Sequence, residues 1–159
     1  MKIKRIILYI ILFITHSIQA QQIRQDYSLD SNWFTIAHDT DSAAHPGFEN
    51  LHYNTANWKQ VSVPHNWDTY HGYRRLLHGN RHGYAWYRKT FKITKESGDK
   101  RYFLYFEGVG SYATIWLNGK KVGYHAGGRT TFTLDITEAI LLDGENILAV
   151  RADHPASIR

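Results

Sequence analysis

Beyond residue 20 the pattern of apolar and polar positions is that of short strands, clearest where the two alternate with a period of two, the signature of a half-buried β-strand. Residues 58–64 set Trp58, Val61 and Val63 among Lys59, Gln60 and Ser62 before Pro64, which predicts a half-buried strand. Aromatic and β-branched content predicts further strands over 32–36, 86–93, 101–106, 131–134 and 146–153. Between 113–117 and 120–124 stands Asn118-Gly119, the dipeptide that most readily supplies the positive φ angles of a type I′ hairpin turn. Asp135 and Glu138 fit a capping box that opens a short helical turn, which Asp143-Gly144 closes. Trp33, Trp58, Trp86 and Trp116 lie in strand-like segments and are read as core residues. The strand over 101–106, entered through a Ser97-Gly98-Asp99 turn, is expected beside 86–93 in one sheet. Short strands at turn-sized spacing specify an all-β sandwich or jelly roll.

Two stretches lack such a period. Residues 38–57 are rich in Asp, Ser, Ala, Asn, Pro and Gly and read as a long surface loop. Residues 65–83 mix Trp67, Tyr70 and Tyr73 with histidines, arginines and glycines and read as a second long loop.

The start of the chain has a different character. Lys2, Lys4 and Arg5 precede an apolar run over 6–14, and Ser17-Ile18-Gln19-Ala20 supplies small residues for cleavage after Ala20. Residues 1–20 are therefore expected to be a signal peptide, and 21–159 a single exported domain, periplasmic or extracellular. The apolar run is far shorter than the roughly 20 residues that span a bilayer, so no stable membrane span is expected after cleavage.

Cleavage removes three of the 19 basic residues and none of the 14 acidic ones, which lowers the net charge from +5 to +2. The remaining Lys and Arg are scattered among Asp and Glu, which argues against a nucleic-acid partner. Without cysteine, the domain must rely on a hydrophobic core for stability.

The order of short motifs is more informative than any of them singly. Val63-Pro64-His65-Asn66-Trp67-Asp68 is followed by Trp86-Tyr87-Arg88 before Phe91, then by Phe106-Glu107-Gly108-Val109. Trp116-Leu117-Asn118-Gly119, Val122-Gly123-Tyr124-His125, Gly127-Gly128 and Asn146-Ile147-Leu148-Ala149-Val150 complete the series. This succession resembles the N-terminal sugar-binding domain of family 2 glycoside hydrolases, the family of β-galactosidases, β-glucuronidases and β-mannosidases. The resemblance implies a jelly-roll β-sandwich of the galactose-binding-domain kind. In complete enzymes of the family, an immunoglobulin-like sandwich and a catalytic (β/α)8 barrel follow it. It also implies hydrolysis of O-glycosyl bonds by the complete enzyme, with both catalytic glutamates on the barrel.

A barrel needs about 250 residues, so none fits here and the catalytic glutamates are not expected in this chain. Retaining glycosidases require two carboxyl groups about 5 to 5.5 Å apart. Glu107 at a strand end lacks a partner, Asp26 with Asp30 and Asp39 with Asp41 lie in irregular segments, and Asp135 with Glu138 is accounted for by capping. No catalytic residue is assigned. His65, His71, His78 and His82 with Asp68 have metal-ligand chemistry but no compact ligand spacing, so no metal or other cofactor is expected.

Saccharides are held by aromatic faces under their C–H groups and planar polar side chains on their hydroxyls. Within 65–83, Asn66, Asp68, Tyr73, Arg74, His78, Asn80 and Arg81 are the candidate sugar-binding residues, with Trp67 read as an anchor beneath the loop. The same loop, with His125 and Arg129 beside Gly127-Gly128, also suits contact with the downstream barrel. Three functions remain open: a truncated part of a glycosidase, inactive alone; a stand-alone, non-catalytic carbohydrate-binding module; or a fragment that only completes an interface. A β-glycoside ligand is expected under the first two, without a choice among galactoside, glucuronide and mannoside.

Overall fold

The computed structural model describes residues 24–67, 82–96, 98–128 and 130–156. The expected signal peptide over 1–20 and most of the 65–83 loop lie outside them. The strands are β1 (Trp33–His38), β2 (Lys59–Val61), β3 (Gly83–Lys92), β4 (Phe103–Phe106), β5 (Tyr112–Leu117), β6 (Lys120–Ala126), β7 (Phe132–Asp135) and β8 (Glu145–His154). Six form one sheet in the order β2-β1-β3-β8-β5-β6, while β4 and β7 form a second, and each of these ladders is antiparallel. The fold is the expected all-β sandwich. No helix among the described residues is long and apolar enough to cross a membrane.

Successive residues of a strand face opposite sides of its sheet, and here both sides of the larger sheet carry a packed core, the outer one over part of its area. Ala113, Ile115 and Leu117 of β5 and Leu148 and Val150 of β8 face inward, where Leu104, Phe106, Phe132 and Leu134 of the smaller sheet cover them. Trp86 of β3, Ala149 of β8 and Trp116 of β5 face outward and pack with Phe48 and Trp58. The unbroken apolar run of β8 follows from this two-sided burial, as in any central strand without a solvent face.

The expected strand positions hold, with local differences. The strand that begins beside Trp58 is only three residues long, because Asn32, the next residue in register just ahead of β1, takes a φ of 58° that is not extended, although the Val63 amide still donates to the Asp30 carbonyl at 2.7 Å. The expected pairing of 101–106 with 86–93 does not occur. Both edges of β3 are occupied, by β1 and β8, so the chain crosses to the other layer and β4 pairs with β7. The tie at the end of β7 also differs: the Asp135 carboxylate accepts from the Thr137 amide (3.0 Å) and hydroxyl (2.6 Å), not through Glu138, which is exposed. Arg101 also bonds Asp135, and these contacts hold its carboxyl at about 2.

Residues 38–57 are irregular, as expected, but they serve as the lid of the outer core rather than as a surface loop alone. Successive turns bring Phe48 to 5.1 Å from the Trp116 ring and 6.5 Å from Trp86, while His45 meets Trp86 at 4.8 Å. Arg88, only 5% exposed, donates to the Phe48 carbonyl and lies 5.7 Å from the Tyr53 ring, fastening the lid to β3.

The Asn118-Gly119 turn is as expected, with φ of 53° and 81°. Asn118 also explains part of the motif series. Its amide group donates to the Ala139 carbonyl and the Asn146 side chain, each at 2.9 Å, and its carbonyl oxygen accepts from the Ile147 amide at 2.9 Å. Asn146, fully buried, bonds both backbone groups of Leu141 at 2.8 Å. Buried amides satisfied in this way fix the hairpin against the β7–β8 connection.

Candidate functional site

The candidate loop leaves and rejoins the sandwich through two stems that the packing holds firmly. On the entering side, His65 Nδ1 lies 3.1 Å from the Tyr87 hydroxyl, and its ring meets Trp67 edge-on at 5.3 Å. Trp67 Nε1–H donates to Thr35 Oγ1 at 3.2 Å, and Thr35 is fully buried on β1. Trp67 is therefore half-buried against the inner side of β1, as its reading as an anchor requires. Burial pushes the Tyr87 hydroxyl up and the His65 imidazole down, so both groups stay neutral near pH 7.

The returning stem is built from different chemistry. His82 stacks on His154 at 5.0 Å, and His154 Nδ1 lies 2.8 Å from Ser111 Oγ. The Ser111 amide donates to the Asp153 carbonyl and its carbonyl accepts from Gly127, both at 2.9 Å. At Gly83, with φ +132°, a Cβ would fall 2.6 Å from the His38 carbonyl, so only glycine lets β3 begin this close to β1. His82, Ser111, Gly127 and His154 thus gather at one end of the sandwich.

Of the candidate sugar-binding residues, Asn66 is placed, exposed on the entering stem. Asp68, Tyr73, Arg74, His78, Asn80 and Arg81 lie outside the described residues, as do His71 and Arg129. His125 is occupied structurally: it stacks on Phe132 at 4.2 Å and bonds Thr130 Oγ1 at 2.8 Å. The carboxylates with a sequence neighbour for acid–base work serve local roles. Asp26 pairs with Arg24 at 2.7 Å, Asp30 accepts from Ser28 at 2.8 Å, and Asp41 accepts from the Ala43 amide at 2.7 Å. Among the described residues no group of three or more His, Asp or Glu is arranged to hold a metal ion.

One constellation has no motif to announce it in the sequence. Cross-strand pairing places Tyr84, Asp153 and Tyr112 in one row on the outer side of the large sheet, and Trp86, Arg151, Thr114 and Tyr124 in the next. Arg151 grips Asp153 through Nε at 2.8 Å and Nη2 at 3.0 Å, a bidentate pair. Its only sequence signal is the alternation of aromatic and charged residues within strands, which is uninterpretable until register is known.

The same sandwich recurs in known proteins. Residues 21–154 match the family model described as glycosyl hydrolases family 2, sugar binding domain. A putative beta-glucuronidase of Formosa agariphila is 34% identical over 131 residues, covering 82% of this chain and 15% of the relative. A beta-galactosidase of Thermoanaerobacter pseudethanolicus is 34% identical over 132 residues, covering 82% and 17%. Among solved structures, a Bacteroides uniformis beta-glucuronidase superposes with a TM-score of 0.68 at 28% identity, covering 85% of this chain and 16% of that one. The Lactobacillus rhamnosus beta-glucuronidase reaches 0.70 at 26% identity, covering 87% and 22%. The chain therefore corresponds to a small part of each of these relatives. A match over nearly the whole sandwich, in sequence and in backbone, places this chain in glycoside hydrolase family 2 as its sugar-binding domain.

Proposed function

We propose that this domain serves an exported family 2 glycosidase of the β-glucuronidase or β-galactosidase kind, holding saccharide through its 65–83 loop while catalysis belongs to a barrel in the complete enzyme. The observation that carries this reading is the anchoring of the loop's two stems. A loop that contacts ligand gains from fixed ends, because less conformational freedom is lost on binding. The buried Tyr87–His65 and Trp67–Thr35 contacts fix one end, and the His82–His154 stack fixes the other. Asn66 stands exposed beside the first, at the start of a segment that carries Asp68, Tyr73, Arg74, His78, Asn80 and Arg81. Export rests on the basic, apolar and small-residue order of residues 1–20.

The reading is tested by calorimetric titration of this chain with galactose-, glucuronate- and mannose-bearing saccharides, with a chromogenic glycoside assay in parallel. Saturable binding without turnover, weakened by Asn66→Ala and Arg81→Ala, is the expected result. Turnover by this chain would contradict the assignment of catalysis to another domain.

A further inference from the structure

Among the described residues, the outer side of the large sheet is only half covered. The lid formed by residues 38–57 reaches Trp86 and Trp116 through Phe48, but the rows beyond them carry Tyr84, Arg151, Asp153, Tyr112 and Tyr124. Tyr124 is 55% exposed there. Tyr112 and Tyr124 lie nearly parallel, with ring centroids 6.5 Å apart and planes within 11°. Arg151 sits 6.0 Å from the Tyr84 ring, and Lys121 Nζ 6.0 Å from the Tyr124 ring.

We propose that this platform is a second saccharide site, distinct from the 65–83 loop, and that it takes an oligosaccharide bearing uronic acid. The proposal rests on the sugar-binding reading above and adds a location and a ligand charge to it. Of the aromatic rings spread over β3, β5 and β6, Tyr124 is exposed and Tyr84 and Tyr112 are half-buried, and their remaining surface suits the C–H faces of a sugar. Between them, the Arg151–Asp153 pair is held flat by its two hydrogen bonds, and both partners keep further donor or acceptor capacity for hydroxyls. The strands are neighbours about 4.8 Å apart, so the span from β3 to β6 suits a short oligosaccharide better than a single ring.

The charge decides between neutral and acidic ligands. Arg151 is neutralised by Asp153, which leaves Lys121, beside Tyr124, as the platform's uncompensated charge among the described residues. A carboxylate on the sugar meets that ammonium group at an exposed position, where the attraction is modest and screened by salt. A neutral sugar keeps the aromatic and hydroxyl contacts and loses only this contribution.

The test is titration of this chain with a β-linked glucuronate oligosaccharide and with its carboxyl-reduced, neutral counterpart, at low and high salt. Binding of the acidic ligand is expected to be severalfold tighter at low salt, with the advantage lost in about 1 M salt, where the screening length is only about 3 Å. Tyr112→Ala and Tyr124→Ala should each weaken both ligands by roughly three- to tenfold, the range of one aromatic contact. Lys121→Glu should abolish the preference for the acidic ligand while leaving the neutral one unchanged, with unaltered thermal unfolding showing that the fold is intact. Tyr105→Ala, at an exposed ring on the other sheet, should change nothing. Loss of binding through Asn66→Ala and Arg81→Ala, with the tyrosine variants unaffected, would overturn the platform and leave the loop reading standing. The reverse pattern would do the opposite. Self-association of the chain that Tyr124→Ala abolishes, without saccharide binding, would also overturn the proposal.

Discussion

The two sides of the six-stranded sheet solve the same burial problem with different materials. The inner side is aliphatic at its centre, where Ala113, Ile115, Leu117, Leu148 and Val150 meet a second sheet whose own alternation is complementary, and aromatic only toward its flank, at Trp33, Tyr87 and Phe91. The outer side is aromatic, and its cover is the irregular segment 38–57, which spreads a few large rings over Trp86 and Ala149. A loop must cover more area per residue, and large rings bury the most surface per side chain. Irregular sequence can thus still be core sequence, and under the proposal above the part of the outer side beyond the lid is where a saccharide would be met.

Removing one side's materials at a time separates what each contributes. Trp86→Ala removes a fully buried ring on which Phe48 and His45 both rest, so about 3–5 kcal/mol of stability should be lost, read from denaturant unfolding. Asn146→Ala comes next, because it removes a fully buried amide and leaves the part-buried backbone groups of Leu141 and the Asn118 amide without that partner; about 1–3 kcal/mol is expected. Ile115→Val on the inner side removes one methylene from a many-membered cluster and should cost about 0.5–1.5 kcal/mol. A larger loss at Ile115 than at Trp86 would reverse the account of the two sides.

Two smaller effects depend on pH. His65 is held below its ordinary range mainly by burial, with Lys59 adding to it. Its folded value being depressed, the neutral ring's contribution to stability is fully present above about pH 6.5 and is lost as the pH falls below that. His65→Gln should flatten the fall in melting temperature between pH 7 and pH 5. Asp135 is held at about 2, first by the Thr137 hydroxyl and then by Arg101. Its contribution is complete above the ordinary carboxylate value of about 3.9 and disappears as the pH falls through 2. Asp135→Asn should therefore show a shallower acid limb below pH 4. Its carboxylate is exposed, so this effect should be the smallest of the five.

Much of the fold was legible from the sequence because its local signals agree. Asn118-Gly119 fixes a turn by backbone conformation alone, and β3, β5, β7 and β8 carry the expected strand composition. The pairing of β4 was not legible, since Phe103, Leu104, Tyr105 and Phe106 read equally well beside either layer until β1 and β8 are seen to occupy both edges of β3. The role of Phe48 was hidden for another reason: one buried ring in a polar stretch has no period to reveal it. Trp67 was legible as an anchor from its size, and its indole does bond buried Thr35. Tyr84, Arg151, Asp153, Tyr112 and Tyr124 were invisible as a group because separate parts of the chain supply them and only register brings them together.

The motifs that identify the family divide accordingly. Asn118, Asn146, Trp86 and Arg88 hold the sandwich together, so their presence specifies the fold more directly than the ligand. Under the proposed reading, residues at the loop stems and on the outer platform carry the saccharide chemistry instead. The most direct measurement is nuclear magnetic resonance of the isotopically labelled chain during titration with a glucuronate oligosaccharide. The account predicts saturable shifts at Asn66 and His82 on the loop stems and at Tyr112 and Tyr124 on the platform, with Phe103 and Tyr105 unmoved. Shifts confined to Phe103 and Tyr105, or none at saturating ligand, would contradict it.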